Sequence, residues 1–196
     1  IKNHKLLAQV YLSGTNQDLS IGNFIADQVK GKAYLDYPDS NKKGILLHRK
    51  IDHFTDSHPL FKKNVSLLLP QYRHYIRVII DVFFDHKLAV HWKHYHPDPL
   101  EQFSRSFYTL MEKREVILPE RTIKMIPIIS RYNWFIAYRS LEGLKEIFLD
   151  IPAHPISSEL SMAVVDLEEN YLDISIDFCL FFNELVGFVT NELENN

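Results

Sequence analysis

At 196 residues with 46% hydrophobic composition, the chain can bury a substantial core, and one domain spanning residues 1–196 is the expectation. A single cysteine, Cys179, excludes an intrachain disulfide and a thiolate-rich zinc site, and the most apolar window, 174–189, is interrupted by Asp177, Asn183 and Glu184 and is too polar for a membrane span. The formal charge of −3 hides a split, with ten Lys or Arg against four acids between Lys42 and His94, then eleven acids and no Lys or Arg after Lys145; a basic face of this kind suits an anionic substrate or an acidic partner protein, and no nucleic acid is expected.

The chain begins at Ile1 rather than at a methionine, which reads as a trimmed start, and with no secretory signal visible the expected setting is cytoplasmic. Residues 5–14 form a short predicted helix stopped by Gly14. Asp18 or Ser20 can cap a second helix running to about Lys30, with Gly31 as terminator and Asp27 close to its apolar face. After an aromatic, turn-like stretch from Lys32 to Pro38, Asp39 or Ser40 can cap a third helix. Its end falls near Asp56 and Ser57, because His58 precedes Pro59 and a residue before proline avoids helical angles. A short helix over 60–69 is predicted to stop at Pro70, and a mostly apolar one follows from Gln71 to about Trp92. Further helices are predicted from Pro97 to about Lys113, from Glu120 onward and over 141–149, with Arg131 to Tyr138 as aromatic core. Ser157 or Ser158 can cap one final helix through about Leu193, every acid outward, roughly 50 Å long at ~1.5 Å per residue. Nothing shows sustained period-two alternation, so the fold class is all-α, a single-domain helical bundle with a long C-terminal helix.

Candidate chemistry gathers in three of these segments. His48, Asp52 and Asp56 recur at i, i+4 and i+8 and share one stripe, flanked by Ile45, Leu47, Ile51 and Phe54, which draw it inward. Asp81 and Asp85 stand at i and i+4 in an apolar helix with His86 beside them, a spacing at which like charges repel. Asp27 adds an acid from a third helix. Buried carboxylates without a counter-charge would neutralise, so a metal ion or an arginine is called for between them. Of the histidines at 86, 91, 94 and 96, only His86 is retained as a candidate.

The motifs Gly22-Asn23-Phe24-Ile25-Ala26-Asp27 with Lys30-Gly31, His48-Arg49-Lys50-Ile51-Asp52 with Thr55-Asp56, and Asp81-Val82-Phe83-Phe84-Asp85-His86 with Trp92 together resemble the acyl-carrier-protein phosphodiesterase family. The resemblance extends over most of the chain, including the Tyr132-Asn133-Trp134 region. It implies an HD-domain-like, metal-dependent hydrolase, although no His-Asp dipeptide occurs here. The implied reaction cleaves the phosphodiester joining 4′-phosphopantetheine to a serine of holo acyl carrier protein, leaving apo carrier, a step in fatty acid metabolism. Mn²⁺ is the implied ion, with Mg²⁺ or Fe²⁺ as alternatives that oxygen and imidazole ligands also accept. Asp27, His48, Asp52 and Asp81 are then the ligands, with Asp85 and His86 as a further ligand or an orienting pair. Arg49 would hold the phosphate, and Asp56 would serve as ligand, general base or helix-end residue. Lys42, Lys43, Lys50, Lys62, Lys63, Arg73 and Arg77 form the expected docking rim for an acidic carrier.

Two positions depart from the family pattern. Gln9 stands where the Asn-Phe-Leu-Ala-His motif has its histidine, and Asp150 to Pro155 replaces a Gly-Met and a basic residue. Three other functions therefore stay open: a carrier-binding homologue silenced through Gln9, a phosphodiesterase or phosphatase for another anionic substrate, and a helical interaction module whose acids are satisfied by Arg and Lys.

Overall fold

The computed structural model describes residues 5–72, 75–150 and 157–195, and every regular element among them is helical. α1 (Leu6–Leu12) buries every residue except Tyr11 and ends before Gly14, which adopts the left-handed φ of 60° that the turn requires. α2 (Gln17–Ile25) is capped by Asn16, whose side chain accepts from Leu19 N at 3.0 Å, rather than by Asp18 or Ser20. It also stops earlier than predicted, passing at Ala26–Gln28 into a 3₁₀ turn that carries Asp27.

α3 (Asp39–Ser57) ends at His58 as the following proline demands, but no side chain caps its start. It meets α2 main chain to main chain. A Cβ on Gly22 would lie 2.1 Å from the Asn41 carbonyl oxygen, and one on Gly44 would lie 2.1 Å from that of Leu19. No other residue fits at either crossing, and the close approach brings the end of α2 over the middle of α3.

α4 (Pro59–Tyr72) opens on Pro59 but does not stop at Pro70. That proline falls in the last turn of the helix. α5 (Ile76–Val90) buries all its residues but Arg77 and Val90 and forms the centre of the molecule. His91 separates it from the short α6 (Trp92–Tyr95), so the helix predicted from Gln71 to about Trp92 is divided among the end of α4, α5 and the start of α6. α7 (Leu100–Lys113), α8 (Glu120–Arg131), α9 (Trp134–Ala137) and α10 (Leu141–Asp150) complete the middle of the chain.

The single final helix predicted from Ser157 is α11 (Ser157–Glu169) and α12 (Tyr171–Glu194), parted at Asn170. Nor do all its acids face outward: Asp177 is 4% exposed and bonds Asn64 at 2.9 Å and Lys63 at 2.8 Å. No helix among the described residues is long and apolar enough to cross a membrane.

Candidate metal centre

His48, on α3, is buried, and its orientation is decided by Asn23 on α2. Asn23 donates through Nδ2 to the Gln9 carbonyl at 2.9 Å and to Ser13 Oγ at 3.0 Å. Its Oδ1 therefore faces His48 Nδ1, at 3.3 Å, and can only accept. The proton of the neutral ring is held on Nδ1, and Nε2 is turned toward the acids. There it lies 3.2 Å from Asp52 Oδ2 and 3.4 Å from Asp27 Oδ1, buried and without a well-formed hydrogen bond. Asp27, His48 and Asp52 are the one group among the described residues whose donor atoms converge, all within 4.8 Å of one another. Ligands held at about 2.1 Å around one small divalent ion stand about 3 Å apart, so the spacing fits such an ion. Without it, burial works against charge on His48, but the Asp27 and Asp52 carboxylates outweigh burial and push its pKa up to about 9. A metal ion at this position would compete with that proton.

Beside the cluster lies a cavity of about 400 Å³ lined by Lys5, Asp27, Asp52, Asp56, Phe61, Arg77 and Asp81. Lys5, the residue that precedes α1, is 4% exposed. Its Nζ is 3.4 Å from Asp81 Oδ1 and 4.0 Å from Asp52 Oδ1. Burial pushes the Asp81 carboxyl up to about 7, against the opposing pull of Lys5. Asp56 and Arg77 form an exposed ion pair in the cavity wall.

Other candidates have different partners. Asp85 is fully buried and accepts from Leu7 N and Ala8 N, each at 2.9 Å, so both its oxygens are spent on the first turn of α1. His86 lies between the Tyr138 carbonyl, 2.7 Å from Nδ1, and the Tyr171 hydroxyl, 3.0 Å from Nε2; burial lowers its pKa to about 4. Neither the spacing of Asp81 with Asp85 nor the adjacency of His86 brings those two to the Asp27, His48 and Asp52 donors. Arg49 bonds the carbonyls of Val29 at 3.1 Å and Gly31 at 2.8 Å and lies over the Tyr34 ring, which ties down the segment after Asp27 rather than offering a phosphate grip. His96 stacks on Trp92.

The docking rim is also rearranged. Lys50 pairs with Glu192 and Lys63 with Asp177, so bases of α3 and α4 meet acids of α12 and part of the charge split cancels in space. Lys42 pairs with Asp39 at 3.2 Å, Arg77 with Asp56, and Lys62 is exposed. Arg73 and residues 151–155 lie outside the described residues. Lys43 borders a separate groove of about 1110 Å³, floored by Leu19, Leu46, Phe188 and Leu193, which shares no residue with the acidic cavity.

Two site residues escaped the sequence argument. In sequence Lys5 marks only the start of a helix and Asn23 only part of a motif; a charged residue opening an otherwise apolar helix is the available signal for the first.

The family model described as acyl carrier protein phosphodiesterase matches residues 5–185. The chain is 29% identical over 188 residues to the acyl carrier protein phosphodiesterase of Photorhabdus laumondii, covering 95% of each chain. It is 29% identical over 182 residues to the protein of that name from Pectobacterium atrosepticum, covering 92% of this chain and 94% of that one. For the Escherichia coli O157:H7 protein of that name the identity is 26% over 186 residues, with 92% and 95% covered. No solved structure matches significantly.

Proposed function

Because the chain belongs to the acyl carrier protein phosphodiesterase family, we propose that it is a phosphoric diester hydrolase that releases 4′-phosphopantetheine from holo acyl carrier protein, with a divalent ion held by Asp27, His48 and Asp52. The observation that carries this reading is His48 Nε2, buried, without a hydrogen bond and facing two carboxylate oxygens. Carboxylate and imidazole donors without thiolate suit Mn²⁺, Mg²⁺ or Fe²⁺, and we take Mn²⁺ as the working ion. Such an ion supplies Lewis-acid polarisation of a phosphoryl oxygen and acidifies water. We read the arrangement as an HD-like site that has lost the His-Asp dipeptide.

The chain's own residues supply the rest. Asn23 fixes the ring of His48 so that a lone pair is available at Nε2. Arg49 anchors the carbonyls of Val29 and Gly31 and so holds Asp27 over α3. Lys5 and Arg77 bring positive charge into a cavity otherwise lined by four carboxylates, where an anionic diester would be repelled. Asp56, exposed in that cavity's wall, is the carboxylate best placed to exchange a proton with solvent.

The test is release of 4′-phosphopantetheine from holo carrier with Mn²⁺, with Mg²⁺ and with chelator, beside His48→Ala and Asp52→Ala. Manganese-dependent release that both substitutions abolish is expected. Release indifferent to chelator and to both substitutions overturns the metal site. A second reading, a carrier-binding homologue without turnover, draws on Gln9, whose buried Nε2 has no partner; a folded, metal-loaded protein that binds carrier and releases nothing would establish it.

A further inference from the structure

We infer that Lys5 is a built-in cation that fills the Asp81 side of the acidic cavity, so that the site takes a single divalent ion, at Asp27, His48 and Asp52, rather than a pair. The inference rests on the metal reading above and goes beyond it by fixing how many ions the site accepts.

Asp52 is the pivot. Its Oδ2 lies 3.2 Å from His48 Nε2, while its Oδ1 lies 4.0 Å from Lys5 Nζ. One carboxylate thus spans the candidate ion position and an ammonium, the place a bridging carboxylate takes between two metals. Asp81, which could have completed a second metal position, faces Lys5 at 3.4 Å instead. A second dication on that side would have to sit against an ammonium that is 4% exposed, whose Nζ also lies 5.6 Å from the Phe61 ring centre.

The charge count agrees. The cavity is lined by the four carboxylates Asp27, Asp52, Asp56 and Asp81 and by the cations Lys5 and Arg77, which, with every acid ionised as a bound cation favours, leaves two negative charges beside a neutral His48. One divalent ion brings the cavity to neutrality, and a second would overshoot it. The location of Lys5 also needs a reason, since a cation is poorly placed ahead of the first turn of a helix. Asp85 satisfies the amides of Leu7 and Ala8 in that turn, which leaves the Lys5 side chain to the acids.

The test counts ions directly, by titrating chelator-treated protein with Mn²⁺ while following free Mn²⁺ by electron paramagnetic resonance and heat by calorimetry. The wild-type chain is expected to bind one Mn²⁺ with an uncoupled spectrum. Lys5→Gln is expected to bind two, with the spin-coupled signal of a pair. Two ions on the wild type, or one on a folded Lys5→Gln variant, overturns the inference and leaves the metal site standing. Asp81→Asn decides independently, should Lys5→Gln fail to fold. Its affinity for the first ion stays within about tenfold of wild type if Asp81 belongs to Lys5, whereas any larger loss, such as the hundredfold or more expected for Asp52→Asn, makes Asp81 a ligand and overturns the inference. No uptake by the wild type overturns the metal reading itself, and this inference with it.

Discussion

His48 gives the sharpest test, because its chemistry predicts an alkaline loss of stability without a metal and none with one. The ring is pushed from an ordinary 6.5 up to about 9 by Asp27 and Asp52, against the opposing effect of burial. A base whose folded pKa is raised contributes stability that is fully present below pH 6.5 and lost as pH rises through 9. At about 1.4 kcal/mol per pKa unit the contribution is roughly 3 kcal/mol. Asp81, raised from 3.8 to about 7, changes stability in the same direction but is half titrated at pH 7 and spent about one pH unit above it, so the alkaline half of the window belongs to His48. Urea unfolding in chelator, at intervals from pH 6.5 to 9.5, should show the wild type losing about 3 kcal/mol relative to His48→Gln. With saturating Mn²⁺ the loss should vanish, since the neutral ring is the ligand, and calorimetry in buffers of different ionisation enthalpy should register about one proton released per ion near pH 7. A wild-type minus variant difference that stays flat across the window in chelator would refute the proposed geometry around Nε2.

Other expectations are open to direct measurement. Gly44→Ala places a Cβ 2.1 Å from the Leu19 carbonyl oxygen and 2.8 Å from Asn23 N, neither of which can swing aside. Denaturant unfolding should therefore show a loss of about 3 kcal/mol or more, and Mn²⁺ affinity should fall with it. Gly187→Ala, with nothing within 4 Å, should instead gain about 0.5–1 kcal/mol from helix propensity. Asn23→Ala frees the His48 ring and removes one of the two side-chain donors to the Gln9 carbonyl, leaving Ser13 Oγ; a loss of about 10- to 100-fold in metal affinity is expected from a titration. His86 has its pKa lowered by burial from 6.5 to about 4, so the stability it supports is present above pH 6.5 and lost as pH falls through 4. Acid unfolding of the wild type beside His86→Gln should differ by roughly 3 kcal/mol over that window, while Mn²⁺ binding at pH 7 should be unaffected by the substitution.

The helical class was legible because apolar positions recur at helical spacing throughout, and the stripe of His48 with Asp52 was legible for the same reason: both sit on one helix, where spacing is geometry. Bringing in Asp27 needed the crossing of α2 and α3, which Gly22 and Gly44 permit but do not announce. His86 shows the converse. It follows Asp85 in sequence, yet on α5 one residue is a large rotation, and the two side chains end on Tyr138 and on α1 respectively. The charge split along the chain suggested a basic face; once α12 lies along α3 and α4, Glu192 and Asp177 meet Lys50 and Lys63. Such pairings depend on which helices are neighbours, information that a linear pattern does not hold.

The contact of α2 with α3 through bare main chain divides the cluster into a fixed jaw and an adjustable one. Where two backbones touch, the separation of α2 from α3 is set by peptide geometry and not by the sizes of intervening side chains. Drift elsewhere in the core has little purchase on it. Lys5, just ahead of α1, and Asp81, on α5, sit across from this jaw and meet through their side chains. Substitution can retune that half one residue at a time, altering the charge and the room of the cavity, while the spacing of the proposed ion site stays tied to the crossing of α2 and α3.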